Sequence, residues 1–176
     1  MSDISEQIKT TFQNIITIYE ETSSLLLDAS SYIEKQGFQV LHGNTLGTEQ
    51  SKDINSPKWW ITPYGARYFA TNEHPEIIKG LAVVFVDINQ NPVEPLVIIG
   101  CFKMKKDEKD EVLPLYYYYL RRAWFDLGQN RKLNVDLEIE GKWNYNEGSI
   151  RAVLLEKVKD QKSLQTEIID PFLRLS

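Results

Sequence analysis

GLAVVFVDINQNPVEPLVIIGCFKMK, residues 80–105, decides how the rest of the chain is read. Residues 81–86 and 96–99 are short, continuous apolar runs rich in β-branched side chains and bounded by Gly, Asn or Pro. Such runs read as strands buried on both faces, and neither is long enough for an ordinary buried helix. Between them, residues 89–95 (NQNPVEP) hold two prolines that lack a backbone donor and two Asn residues that tolerate turn conformations. The expectation is a central hairpin with a wide tip. Cys101, just beyond the second run and the only cysteine, reads as a small buried hydrophobe in an apolar strand.

Working outward, 176 residues with 42% hydrophobic and 11% aromatic content suffice for one domain with a real core, so 1–176 is read as a single domain. No repeat or Pro/Gly-rich linker divides it. A formal charge of −5 argues against a protein that grips nucleic acid over a broad surface, which requires an excess of Lys and Arg. The opening MSDISEQIK lacks a basic segment ahead of an apolar core, and no apolar run approaches the ~18 residues of a membrane span. These features point to a cytoplasmic protein without a membrane partner.

Residues 4–36 carry a helical pattern. Ile8, Phe12, Ile15, Tyr19, Thr22, Leu26, Ala29 and Ile33 fall at alternating spacings of four and three and so share one face. Asp3 and Glu6 suggest an N-terminal capping box, and Gly37 followed by Phe38 suggests a left-handed stop. At 1.5 Å per residue such a helix is about 50 Å long, more than the ~40 Å width expected of the domain. It can bend near residues 22–24 (TSS), or project at one end and pair with a second subunit as a homodimer. The favoured reading is a helix that simply lies across the sheet, since Ile16, Ile18, Leu25 and Leu27 widen its apolar face beyond a coiled-coil seam.

After a polar loop at 42–57, Trp59 to Ile61 and Arg67 to Ala70 suggest two strands around a Pro63-Tyr64-Gly65 turn. Residues 113–128 (LPLYYYYLRRAWFDLG) suggest an aromatic-rich helix whose core face is Leu113, Tyr117, Leu120, Trp124 and Leu127, flanked by Tyr116 and Ala123. Val135, Leu137 and Ile139 alternate with acidic residues as in a strand, residues 150–158 suggest an antiparallel neighbour, and Ser163 can cap a short terminal helix that Pro171 ends or kinks. The fold class is therefore α+β: an antiparallel or mixed sheet of about five or six strands, covered by a long N-terminal helix, a second aromatic-rich helix and a short C-terminal helix.

Signatures of catalysis are missing: there is no Gly-rich phosphate loop, no G-x-S-x-G and no C-x-x-C or H-E-x-x-H pattern, and His42 and His74 lie far apart in predicted loops. No metal site and no cofactor is expected from these residues. The order helix, strands, hairpin, helix, strand over residues 1–139 nevertheless resembles the core order of PD-(D/E)xK nucleases. That resemblance implies Asp87 and Lys103 as catalytic residues with a bound Mg²⁺. Cys101-Phe102-Lys103 would then have Cys where the family has a carboxylate, which implies an inactive, divergent member. Glu140-Gly141-Lys142 has the acid-x-Lys spelling but follows the second helix.

Trp, Tyr and Arg are the residues enriched at recognition surfaces. Trp59, Trp60, Tyr64 and Arg67, together with Tyr118, Arg121, Arg122 and Phe125, make up a candidate patch. The sequence reading is thus a non-enzymatic binding or interaction module for a protein or small ligand, using this patch or a pocket beside the hairpin tip.

Overall fold

The computed structural model describes residues 2–48, 50, 54–103, 120–121, 123–125, 139–143 and 146–176. Helix α1 (Ser2–Glu34) leads into six strands: β1 (Gln39–Val40), β2 (Tyr64–Ala70), β3 (Ile77–Val86), β4 (Pro92–Lys103), β5 (Ile139–Trp143) and β6 (Asn146–Leu154). They form one sheet in the order β1-β2-β3-β4-β6-β5, antiparallel throughout. The fold is α+β, with a long N-terminal and a short C-terminal helix on an antiparallel sheet.

The central hairpin stands as its composition implies. β3 and β4 pair from Ile77↔Lys103 to Val84↔Leu96. Alternate side chains of a strand point to opposite faces, and here both faces are covered. Leu81, Val83, Val97, Ile99 and Cys101 pack with Leu26, Ala29 and Ile33 of α1 and with Leu164, Ile168 and Phe172 of the C-terminal segment. Ala82, Val84, Ile98 and Phe102 enter the other core with Leu120, Ala123 and Trp124. Of the expected aromatic-rich helix, residues 120–121 and 123–125 are helical, and 113–119, 122 and 126–128 lie outside the described residues. So do 135–138 of the expected acidic strand, whose described part is β5.

Two local expectations give way. Residues 89–95 are not all loop, because β4 begins at Pro92 and contains both prolines. Pairing with β6 starts only at Leu96, and the β3 register breaks between Val84 and Val86, where the Phe85 amide donates to Pro63 O at 3.0 Å instead. A residue without an N–H costs nothing at such a position. Residues 59–61 are not a strand either. Pro57–Trp59 is a 3₁₀ turn with Pro at its start, where the preset φ of proline fits a helical turn. Tyr64 and Gly65 of the expected turn are instead the first residues of β2, paired with Val84 and Val83.

The ends of α1 differ. Gly37 has φ +87 and its amide donates to Glu34 O at 3.0 Å, the left-handed stop that glycine takes without strain. Asp3 and Glu6 are not a capping box, since the helix already includes Ser2. Asp3 accepts from Gln7 Nε2 at 3.3 Å, and Glu6 pairs with Lys9 at 3.8 Å. Only the C-terminal half of the apolar seam is covered: Thr22, Leu26, Ala29 and Ile33 are buried, whereas residues 3–14 are exposed without exception.

At the other end of the chain, Asp160 is the cap and Ser163 its reciprocal partner, with the Ser163 amide donating to Asp160 Oδ1 at 2.7 Å. A π-helical stretch, Leu164–Ile169, precedes the last α segment, Asp170–Arg174, which opens on Pro171. Lys79, buried in β3, donates to the carbonyls of Phe172 and Leu173 at 3.2 and 2.9 Å and so fastens that helix end to the sheet.

Candidate functional site

The Asp87 carboxylate is built into the hairpin tip. Its Oδ1 accepts the amides of Asn89 and Asn91, both at 2.8 Å, its Oδ2 accepts Asn91 Nδ2 at 3.1 Å, and Gln90 takes φ +62 to close the turn. Burial works against the charge. The hydrogen bonds from Asn91 and Asn89 and the nearby charge of Arg121 outweigh it and hold the carboxyl below its ordinary value. Asp87 is thus a turn-forming residue with its lone pairs engaged.

Lys103 pairs with Ile77 and Glu147 at the opposite end of the sheet. Ten residues of strand separate that level from Asp87, about 33 Å at ~3.3 Å per residue. One centre cannot contain both. Among the described residues no group of three or more His, Cys, Asp or Glu could hold a metal ion.

The aromatic and arginine set does not form one surface. Tyr64, Arg67 and Arg121 are buried, whereas Trp60 is 54% exposed. Arg121 crosses the Tyr64 ring at 5.4 Å and donates from Nε to Val86 O at 3.0 Å and from its terminal nitrogen to Asp87 O. It clamps the base of the hairpin tip. Arg67 donates to Gly43 O at 3.0 Å and holds the 42–48 loop on β2. Only the backbone of Trp59 is described, and Tyr118 and Arg122 lie outside the described residues. Phe125 packs against the core that contains Tyr64.

His42 belongs to the same loop. The Tyr68 amide donates to its Nε2 at 3.0 Å, so the ring proton resides on Nδ1, which donates to Thr45 O at 2.7 Å. Burial lowers its pKa from the ordinary 6.5, the Thr45 hydrogen bond opposes this, and the Arg67 charge lowers it further. His74 is an exposed turn residue whose amide donates to Thr71 Oγ1 at 3.1 Å.

Among the described residues a concave feature lies beside the hairpin tip. A groove of about 1130 Å³, half open to solvent, runs between α1 and the chain that leaves β6. One wall is a single face of α1, carrying Ile18, Thr22, Leu25, Tyr32 and Lys35 at helical spacing. The other wall is Leu154, Leu155, Val158 and Leu164, and Phe85 and Pro95 of the hairpin contribute to the lining. Glu21, Asp28, Glu94, Glu156 and Asp160 edge it, against Lys35 and Lys159. Gln161 Nε2 donates to the Tyr32 hydroxyl, joining the two walls.

The groove assembles residues from positions 18–35, 85–95 and 154–164. None of the three segments is distinctive alone, and the only sequence signal for it is the apolar width of α1 beyond its main seam. Comparison with family models, curated proteins and solved structures finds no match to this chain. Among the described residues no helix is long and apolar enough to cross a membrane.

Proposed function

We propose that the protein is a non-enzymatic binding module that takes a protein or small ligand into the groove between α1 and the β6-to-C-terminus segment. The observation that carries this is the groove itself, with apolar walls and carboxylates around its edge. Recognition sites have this composition: apolar area supplies affinity, and a few polar groups set orientation. The buried members of the aromatic and arginine set support the groove instead of lining it, since Arg121 and Tyr64 brace the hairpin that contributes Phe85 and Pro95.

The test is a thermal-shift screen of peptides and metabolites, repeated on Ser31→Trp, which places a large ring at an exposed position of the groove without touching the core. Ligands that stabilise the native protein should lose their effect on the variant. Stabilisation untouched by the substitution would place the binding elsewhere and defeat the proposal.

A second reading, self-association through α1, is favoured by a separate observation. Ile4, Ile8, Phe12 and Ile16 are 54–64% exposed. Ile4, Ile8 and Phe12 continue the same helical face as Leu26 and Ile33, which are buried in the core. Asp3 and Glu6 against Lys9 do not suit an anionic membrane, so a second copy of the same stripe is the fitting cover. Phe12→Asp should convert a dimer to a monomer in light scattering at unchanged melting temperature. Equal mass for both proteins would remove the dimer. Leu26 cannot serve for this test, because at 1% exposure it is core.

A further inference from the structure

We infer that the occupant of the groove is a basic amphipathic helix of a partner protein, an inference that rests on the groove being the binding site. Its length is the first argument. The lining residues of α1 run from Ile18 to Lys35, which at 1.5 Å per residue is about 26 Å. That matches a helix of nearly five turns. The volume of about 1130 Å³ exceeds the ~300–1000 Å³ of enclosed small-molecule pockets, and the site is a trough instead of a cavity. A helix laid along such a trough buries one apolar stripe between Leu25 on one wall and Leu155 on the other while its flanks reach the edges.

Charge is the second argument. The edges hold five carboxylates and two lysines. Asp160 is engaged as a helix cap, but Glu21, Asp28, Glu94 and Glu156 make no ion pair with any described residue. With Lys35 and Lys159 counted, the edges keep an excess of three carboxylates around an apolar strip, which selects a partner with Lys or Arg flanking its apolar stripe and repels acidic helices, nucleic acid and anionic lipid. The projecting half of α1 from another copy is excluded on the same ground, because it carries Asp3 and Glu6 against Lys9 alone.

The experiment uses three labelled synthetic helices of about 18 residues that share one leucine stripe and differ in their flanks: all Lys, all Gln or all Glu. Fluorescence anisotropy at low salt follows binding to the full chain. The Lys peptide should bind, the Glu peptide should not, and Asp28→Lys with Glu94→Lys and Glu156→Lys should weaken the Lys peptide by roughly tenfold or more. The same change of net charge placed at Asp3, Glu6 and Glu73 should alter it by no more than about twofold. Equal weakening by the two triple variants would mean that overall charge alone attracts the peptide, which overturns the inference. If all three peptides bind alike and Ser31→Trp blocks them, the partner class is wrong while the groove remains the binding site. If no peptide binds, or if Ser31→Trp leaves binding unchanged, the inference falls together with the reading it rests on.

Discussion

Gly80 and Gly100 face each other across β3 and β4, and the side chain of Leu120 sits over the pair. A Cβ on Gly80 would lie 2.7 Å from Leu120 Cδ1 and 2.7 Å from Tyr68 Cε1, and one on Gly100 would lie 2.6 Å from Leu120 Cδ2. All three distances are well inside van der Waals contact, so the glycines form a dimple for which the leucine is the plug. Leu120→Ala should cost about 2–5 kcal/mol, the usual range for emptying a closed site. Gly100→Ala should cost about 1–2 kcal/mol, overpacking being partly offset by the reduced freedom of the unfolded chain.

The informative protein is the double variant. With the leucine branches gone, the new methyl loses its closest clash and fills part of the space they left, keeping only the tight approaches to Phe102 Cζ at 3.2 Å and Ser149 O at 3.3 Å, so the two losses should not add. The expected coupling is about 1–2 kcal/mol in favour of the double variant, read from urea denaturation of all four proteins at equal slope. At this chain length 1 kcal/mol corresponds to about 2–4 °C in melting temperature. Additivity to within about 0.5 kcal/mol would refute the plug, and with it the packing of the second helix on this part of the sheet.

The stability of the protein should fall as pH drops through 6.5, because the unfolded His42 takes up a proton there while the folded ring, with Nε2 accepting from the Tyr68 amide, resists it. Stability is complete above that pH and is lost progressively toward the depressed folded value. His42→Asn should flatten the slope between pH 7.5 and about 5.5 in denaturant titrations, and an unchanged slope would mean that the loop does not hold the ring as described. Lys79→Met should destabilise by about 1–3 kcal/mol, since it leaves the Phe172 and Leu173 carbonyls without their donor, and should raise amide exchange in the C-terminal helix before the sheet. Uniform exchange across both would show that Lys79 does not anchor that end.

Much of the molecule is legible from local pattern. Two β-branched runs separated by Asn and Pro can only be a pair of extended segments, and continuous apolarity signals cover on both faces, because alternate side chains must both be buried. Helix periodicity and Gly37 fixed α1 and its stop for the same reason: the information lies within a few residues of where it acts. The misreadings are those where a neighbour distant in sequence decides. Residues 59–61 have strand composition but form no strand, the 3₁₀ turn Pro57–Trp59 taking their place, and Pro95 is tolerated in β4 because its pairing with β6 starts only at Leu96.

The candidate site was the least legible part. Arginines and tyrosines look alike at a recognition surface and beneath one, and only the packing of the second helix turned Arg121 inward onto Tyr64 and the carbonyls of Val86 and Asp87. Likewise one apolar seam runs the length of α1, yet Leu26 meets the sheet and Phe12 meets water. By itself the sequence determined the long helix and the central pair of strands, since those depend on spacing along the chain. The tertiary structure alone decided which apolar surface is spent on the core and which borders an open groove, because that depends on where segments more than a hundred residues apart come to lie against each other.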